Sequence, residues 1–279
     1  MLQVIIASIG YAGGVAIDKI LLCKAKIGIK VFIPMLFVLL AGTTAFLLPR
    51  FGAVNWHALN TRYLLIFLLL IVVVVIWNKF YYIGIKKESL HELELIMLLS
   101  PLATIIFAMI FLPSERNIGV FIAGVVASVA FIVSRLRRHH IRLSQTAKGT
   151  ILAMLLLSFE SILIKELLNV FSPVALYFFR TLLVAVVFYF IYRPRLKDVP
   201  FKFTGLLIIS ACFGVLQMVL KYYGFQQLGV IETTMVLLLG PFLVYAFSFF
   251  YLKEKTNNKR DIACALVVVS CIIYSTMVK

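Results

Sequence analysis

Charge is scarce in this sequence. Of 279 residues only 14 % are Asp, Glu, Lys or Arg, and the acidic residues number 11 against 27 basic ones. Soluble domains carry about 25 % charged and about 45–50 % apolar residues, whereas the apolar share here is 63 %. A water-soluble globule of this size could not hide so much apolar surface. Disorder is excluded as well, because it needs the opposite composition. There are four cysteines, Cys23, Cys212, Cys264 and Cys271, in or at the ends of apolar runs. That gives no disulfide framework and makes them small hydrophobes. The four histidines lie near span ends or in linkers and do not form a metal cluster. No P-loop occurs, His91-Glu92 is followed by Leu-Glu-Leu without a second histidine, and no Gly-x-Ser-x-Gly elbow is found. ATP is therefore not the driver, and no cofactor is expected. What remains is an all-α polytopic membrane protein.

A spanning helix needs about 20 mostly apolar residues. Breaks at charged or turn-rich points leave ten candidate spans: 3–22, 31–48, 63–84, 93–111, 118–134, 149–168, 173–192, 204–223, 230–252 and 261–277. The short links near 84–93 and 168–173 keep a nine-span count open. A barrel is excluded because runs such as Leu64–Ile76 are apolar on every side rather than alternating. The first run starts almost at Met1, lacks a basic leader and contains Asp18 and Lys19. It is expected to be retained as the first span, not cleaved.

Basic residues concentrate on one face. Eighteen lysines and arginines fall in the connections after spans 1, 3, 5, 7 and 9, and four on the opposite face. The positive-inside rule puts the richer face in the cytoplasm, which with ten spans leaves both termini outside. The net charge of +16 might suggest nucleic acid. But the basic residues come in short runs between spans, with no aromatic-studded basic module. The densest run, Ser134–Lys148 with His139 and His140, reads as a linker resting on anionic headgroups.

The chain also repeats itself. Pro101 precedes Glu115 by 14 residues and Pro241 precedes Glu254 by 13. Span 3 ends Asn78-Lys-Phe-Tyr-Tyr-Ile-Gly84 and span 8 ends Leu220-Lys-Tyr-Tyr-Gly224. Glu92 and Glu232 are 140 residues apart, Lys19 and Lys165 146 apart. A tandem repeat of about 140 residues accounts for these: 1–134, a basic linker 135–148, and 149–279. Five spans per copy is odd, so the second copy enters the membrane upside down. Inverted repeats are a recurring plan of secondary transporters.

With these residues in view, the chain resembles the drug/metabolite transporter superfamily, EamA type. The Pro101…Glu115 and Pro241…Glu254 blocks, the Tyr-Tyr-Gly ends and Ser172-Pro173…Arg180 carry the resemblance over nearly the whole length. It implies ten helices in two inverted five-helix repeats and a secondary carrier of small metabolites or drugs. It also implies cytoplasmic termini, against the charge count.

Ionisable groups inside a span should face protein or water rather than lipid. Glu160 is the deepest, either a coupling or amine-binding carboxylate or a structural partner for a nearby cation. Lys79 and Lys221 sit in equivalent stretches of spans 3 and 8. Asn78 and Tyr82, Trp77 and Tyr81, and Gln217 and Lys221 are each spaced i, i+4 and share a face. They either line a central cavity or, for the lysines and tyrosines, reach the interface. Arg180 cannot shed its charge and needs a carboxylate, carbonyls or water, with Glu160 one candidate. Asp18, Lys19, Lys165 and Glu166 read as interfacial and structural. Pro101 and Pro241 are candidate hinges. Gly10 and Gly14 permit close helix contact.

The expectation is a multi-pass carrier in the cytoplasmic membrane, monomer or homodimer, moving a small polar metabolite or drug by alternating access. Its partners are the solute, a proton or ion and membrane lipid. A membrane scaffold, a lipid-flipping accessory protein, a channel and an intramembrane lipid enzyme are the alternatives.

Overall fold

The computed structural model describes all residues except 25–26, 88–95, 98, 136–144, 195–200, 241–257 and 279. Among the described residues there are ten α-helices, one in each expected span. They are α1 (Leu2–Lys19), α2 (Ile29–Phe51), α3 (Thr61–Lys87), α4 (Leu99–Phe111), α5 (Ile118–Arg135), α6 (Gln145–Leu167), α7 (Pro173–Tyr192), α8 (Phe201–Gln227), α9 (Val230–Leu237) and α10 (Asn258–Met277). A π-helical turn, Ile20–Lys24, continues α1. No strand occurs among the described residues, only an isolated bridge between Val54 and Phe171.

The segments are helical because a backbone in lipid must satisfy its own hydrogen bonds. Six helices are long and apolar enough to cross a membrane, and shorter apolar helices cover Leu99–Phe111, Ile118–Ala130 and Leu266–Met277. Large apolar side chains such as Leu2, Phe46, Leu65, Ile118, Phe190 and Leu266 stand more than half exposed. In water that coat would aggregate; in a bilayer it is the lipid-facing surface. The chain is a multi-pass membrane protein.

Local chemistry sets the helix ends. Ser172 caps α7 by accepting from the Ala175 N–H, with Pro173 at the first helical position. The same hydroxyl donates to the Phe51 carbonyl and accepts from the Ala53 N–H, at 3.0 and 2.9 Å. The α6–α7 turn is thereby stitched to the α2–α3 loop, with Asn55 N–H donating to the Val170 carbonyl at 2.8 Å.

The first and second five helices interleave. α1 packs on α8 and α3 on α6; α1 packs on α9 and α4 on α6; α2 packs on α8 and α3 on α7. α2 meets α7, α4 meets α9 and α5 meets α10. Adding or subtracting five from every helix number returns these same pairs, whereas the packing of α5 and α8 on α9 has no such counterpart among the described residues.

Glycine sets how closely α1 and α8 approach. A Cβ on Gly10 would lie 3.0 Å from the Gln217 backbone nitrogen and 3.1 Å from the Phe213 carbonyl oxygen. The contact expected of Gly10 is thus a backbone-to-backbone approach, while Gly14 has only the Phe213 Cβ at 3.9 Å.

Candidate functional site

A cavity of about 150 Å³ lies between the two halves of the chain. α1 contributes Tyr11, Gly14, Val15 and Asp18, and α8 contributes Ser210, Gly214, Gln217 and Lys221. Both sets follow the three-to-four spacing of one helix face. α3 adds Trp77, Asn78, Tyr81 and Tyr82, and α7 adds Tyr177 and Arg180. Leu36, Phe37 and Leu40 of α2 close the apolar side.

Of the residues expected at a site, Trp77, Asn78, Tyr82, Arg180, Gln217 and Lys221 line this cavity together. Glu160 sits behind the wall, where its carboxylate pairs with the Arg180 guanidinium at 2.6 Å, side chains 1 % and 3 % exposed. The guanidinium also lies 5.7 Å from the Tyr177 ring centroid, and Tyr177 packs edge-on against Tyr222. This is the partner that Arg180 required and the structural alternative raised for Glu160.

Lys79 does not reach the cavity. It is exposed on the outer side of α3, while Trp77 and Asn78 beside it are buried. The reason lies in the register of the repeat. Lys19 donates to the Ile85 carbonyl at 3.0 Å, and Lys165 donates to the Phe225 carbonyl at 2.6 Å. These two clamps, from the ends of α1 and α6, make Ile85 and Phe225 counterparts. The counterpart of Lys221 is then Tyr81, and Lys79 matches Val219. Matching the two lysines directly hides this, because they are 142 residues apart and the clamped carbonyls 140. Glu166, next to the second clamp, forms an exposed pair with Arg62 at 3.3 Å, which contributes little.

Pro101 is the third residue of α4. Pro241 lies outside the described residues, as do Glu92 and Glu254; α9 ends at Leu237, and Leu238 N–H reaches both the Thr234 and Met235 carbonyls at 3.2 Å.

Sequence reasoning placed Asp18 at the interface, yet it lines the cavity, 8 % exposed, accepting a short hydrogen bond from the Ser210 hydroxyl. The spacing of Tyr11, Val15 and Asp18 on one face was the available signal. Glu115, which the sequence marks only as part of the Pro101…Glu115 block, reaches another helix. Its carboxylate accepts from the Val230 and Ile231 N–H groups, at 2.8 and 3.3 Å, and so caps α9 from the α4–α5 connection. An anion there meets the positive end of the helix. Gly229, at φ +95°, leaves room for it, since a Cβ would come 2.6 Å from Glu115 Oε1.

Several buried polar atoms around the cavity have no hydrogen-bond partner among the described residues: Trp77 Nε1, Arg180 Nε and the Tyr222 hydroxyl. Buried donors of this kind are costly unless something else meets them. A larger hollow of about 430 Å³ lies between α2 and α7, lined by apolar side chains such as Val38, Phe178, Leu182 and Phe190. Val38 and Phe190 are exposed on the lipid side, so an acyl chain fits there better than a polar solute.

The comparisons with known proteins agree with this architecture. A solved structure described as "Crystal structure of protein" shares the fold at a TM-score of 0.67 and 11 % identity, covering 97 % of both chains. No curated protein matches the sequence. Residues 147–276, which include Glu160, Arg180, Gln217 and Lys221, match the model of the EamA-like transporter family.

Proposed function

We propose that this protein is a secondary carrier of a small polar metabolite, working by alternating access in the cytoplasmic membrane. The observation that carries the reading is the polar cavity inside a helix bundle that otherwise faces lipid. Charged groups at that depth are costly and mark solute or ion paths. Asp18, Lys221 and the Glu160–Arg180 pair are four such groups in or against one cavity.

Size narrows the solute. Drug-sized ligands occupy pockets of roughly 300–1,000 Å³. A cavity of about 150 Å³ holds roughly five waters at about 30 Å³ each. That favours a metabolite over a drug.

Inverted repeats are the second part of the proposal. Six of the helix pairs between the halves have a counterpart when numbers shift by five, and Lys19 and Lys165 hold corresponding carbonyls. Each half can then take the shape the other now has, which opens the cavity to the opposite side. Pro101 and Pro241 are the proposed flexing points. Both termini are proposed to lie outside.

The test is exchange of labelled metabolites in proteoliposomes, after a thermal-shift screen of the purified protein. A carrier returns its solute unmodified and saturates; modified product or channel-like conductance would end this reading. A reporter fused at Lys279 gives the orientation, and a cytoplasmic signal would reverse it.

A further inference from the structure

Asp18 is a buried carboxylate with one hydrogen-bond partner, the Ser210 hydroxyl, among the described residues. A carboxylate can accept at about four positions, so most of its capacity faces the cavity it lines. The nearby cations are committed elsewhere. Lys19, the next residue, points about 100° away around the helix and gives its ammonium to the Ile85 carbonyl. Arg180 is held by Glu160. Lys221 is eleven residues beyond Ser210 on α8, about 16 Å along the axis, with its Nζ 5.1 Å from the Phe225 ring centroid.

The wall beside Asp18 is aromatic. Trp77 packs edge-on to Tyr81 at 5.7 Å between ring centroids, and Tyr81 to Tyr82 at 5.1 Å. Tyr11 joins them on the cavity surface. Aromatic faces attract cations through their quadrupole, and desolvation strengthens the attraction. A buried anion beside π faces is the environment an organic ammonium satisfies. A neutral solute would leave the charge of Asp18 unanswered, and an anion would be repelled by it. The π-helical turn at Ile20–Lys24 follows directly, a feature frequent at functional sites.

We propose that Asp18, with the Trp77–Tyr81–Tyr82 wall, is the cation site of the cavity and binds the ammonium group of an organic amine solute. This deepens the carrier reading and rests on it only for transport, not for binding. Lys221, at the far side of the cavity, accommodates an acceptor group on the same solute.

The test uses the full-length chain purified in detergent, titrated calorimetrically with choline and with dimethylbutanol, its uncharged carbon isostere. Choline is expected to bind and the isostere not to. Asp18→Asn should weaken choline binding at least tenfold, and Asp18→Glu should recover part of the loss. Should the Asp18 variants fail to fold, Trp77→Leu decides the matter: it leaves the carboxylate and removes one π face, with at least a twofold loss expected. No choline binding to the unaltered chain, equal binding of the isostere, or undiminished binding by Asp18→Asn or Trp77→Leu would each overturn the proposal. Exchange of labelled choline in proteoliposomes is measured separately. Binding without exchange upholds the cation site and removes the carrier reading instead.

Discussion

Replacing Glu160 by Gln leaves the Arg180 guanidinium buried without its counter-charge. At 2.6 Å and an effective dielectric of about 20, the attraction is about 6 kcal/mol. Desolvating each ion costs several kcal/mol, so the pair as a whole adds little net stability. Breaking it is different, because the remaining charge keeps its desolvation cost and loses its partner. Removal of one member of a buried pair costs about 3–5 kcal/mol. Glu160→Gln and Arg180→Gln should each destabilise by about that much, and the double variant by less than the sum. The coupling in the cycle should be at least about 2 kcal/mol. Equilibrium unfolding in mixed micelles measures it, followed by fluorescence of Trp77 at the cavity wall. Were Glu160 instead a free coupling carboxylate, Glu160→Gln would impair exchange with the unfolding midpoint unmoved. That outcome, or a coupling below about 0.5 kcal/mol, refutes the structural role assigned to the pair.

Gly10→Ala places a methyl against α8 backbone and should cost about 1–3 kcal/mol in the same unfolding assay. Gly42→Ala, with nothing within 4 Å of the new Cβ, should be neutral or stabilising by up to about 1 kcal/mol. Glu115→Ala uncaps α9 and should cost about 1–2 kcal/mol, with faster hydrogen exchange at Val230 and Ile231; unchanged exchange would separate Glu115 from that helix end. Lys79→Leu, on the lipid side of α3, should leave exchange rates intact. Lys221→Leu should reduce exchange at least tenfold, and a reversed ranking would contradict the cavity assignment. Lys165→Met removes a charged donor from the Phe225 carbonyl and should cost about 1.5–3 kcal/mol.

Much of this protein is legible in its sequence. Apolar runs of spanning length fixed the helices, because a lipid-embedded backbone has no other way to satisfy its hydrogen bonds. The offset between Lys19 and Lys165 pointed to a duplication, and each of the two holds a carbonyl near the end of a partner helix. The i, i+4 spacing on α3 and α8 gathered Trp77, Asn78, Tyr82, Gln217 and Lys221 onto one cavity. Such regularities are local, and periodicity along one helix is enough to reveal them.

Partnership between helices was not legible. Depth within a span favoured Glu160 over Asp18 as the functional carboxylate, yet Glu160 is neutralised by Arg180 and Asp18 faces the cavity with a serine. Glu115 resembled a surface charge until α9 was seen to start at its carboxylate. Lys79 and Lys221 matched as letters but lie 142 residues apart, two out of step with the 140 between the clamped Ile85 and Phe225, and Lys79 faces away from the cavity. One residue turns a helix by about 100°, so facing is decided by register and packing, and register is set by contacts that lie far apart in the chain.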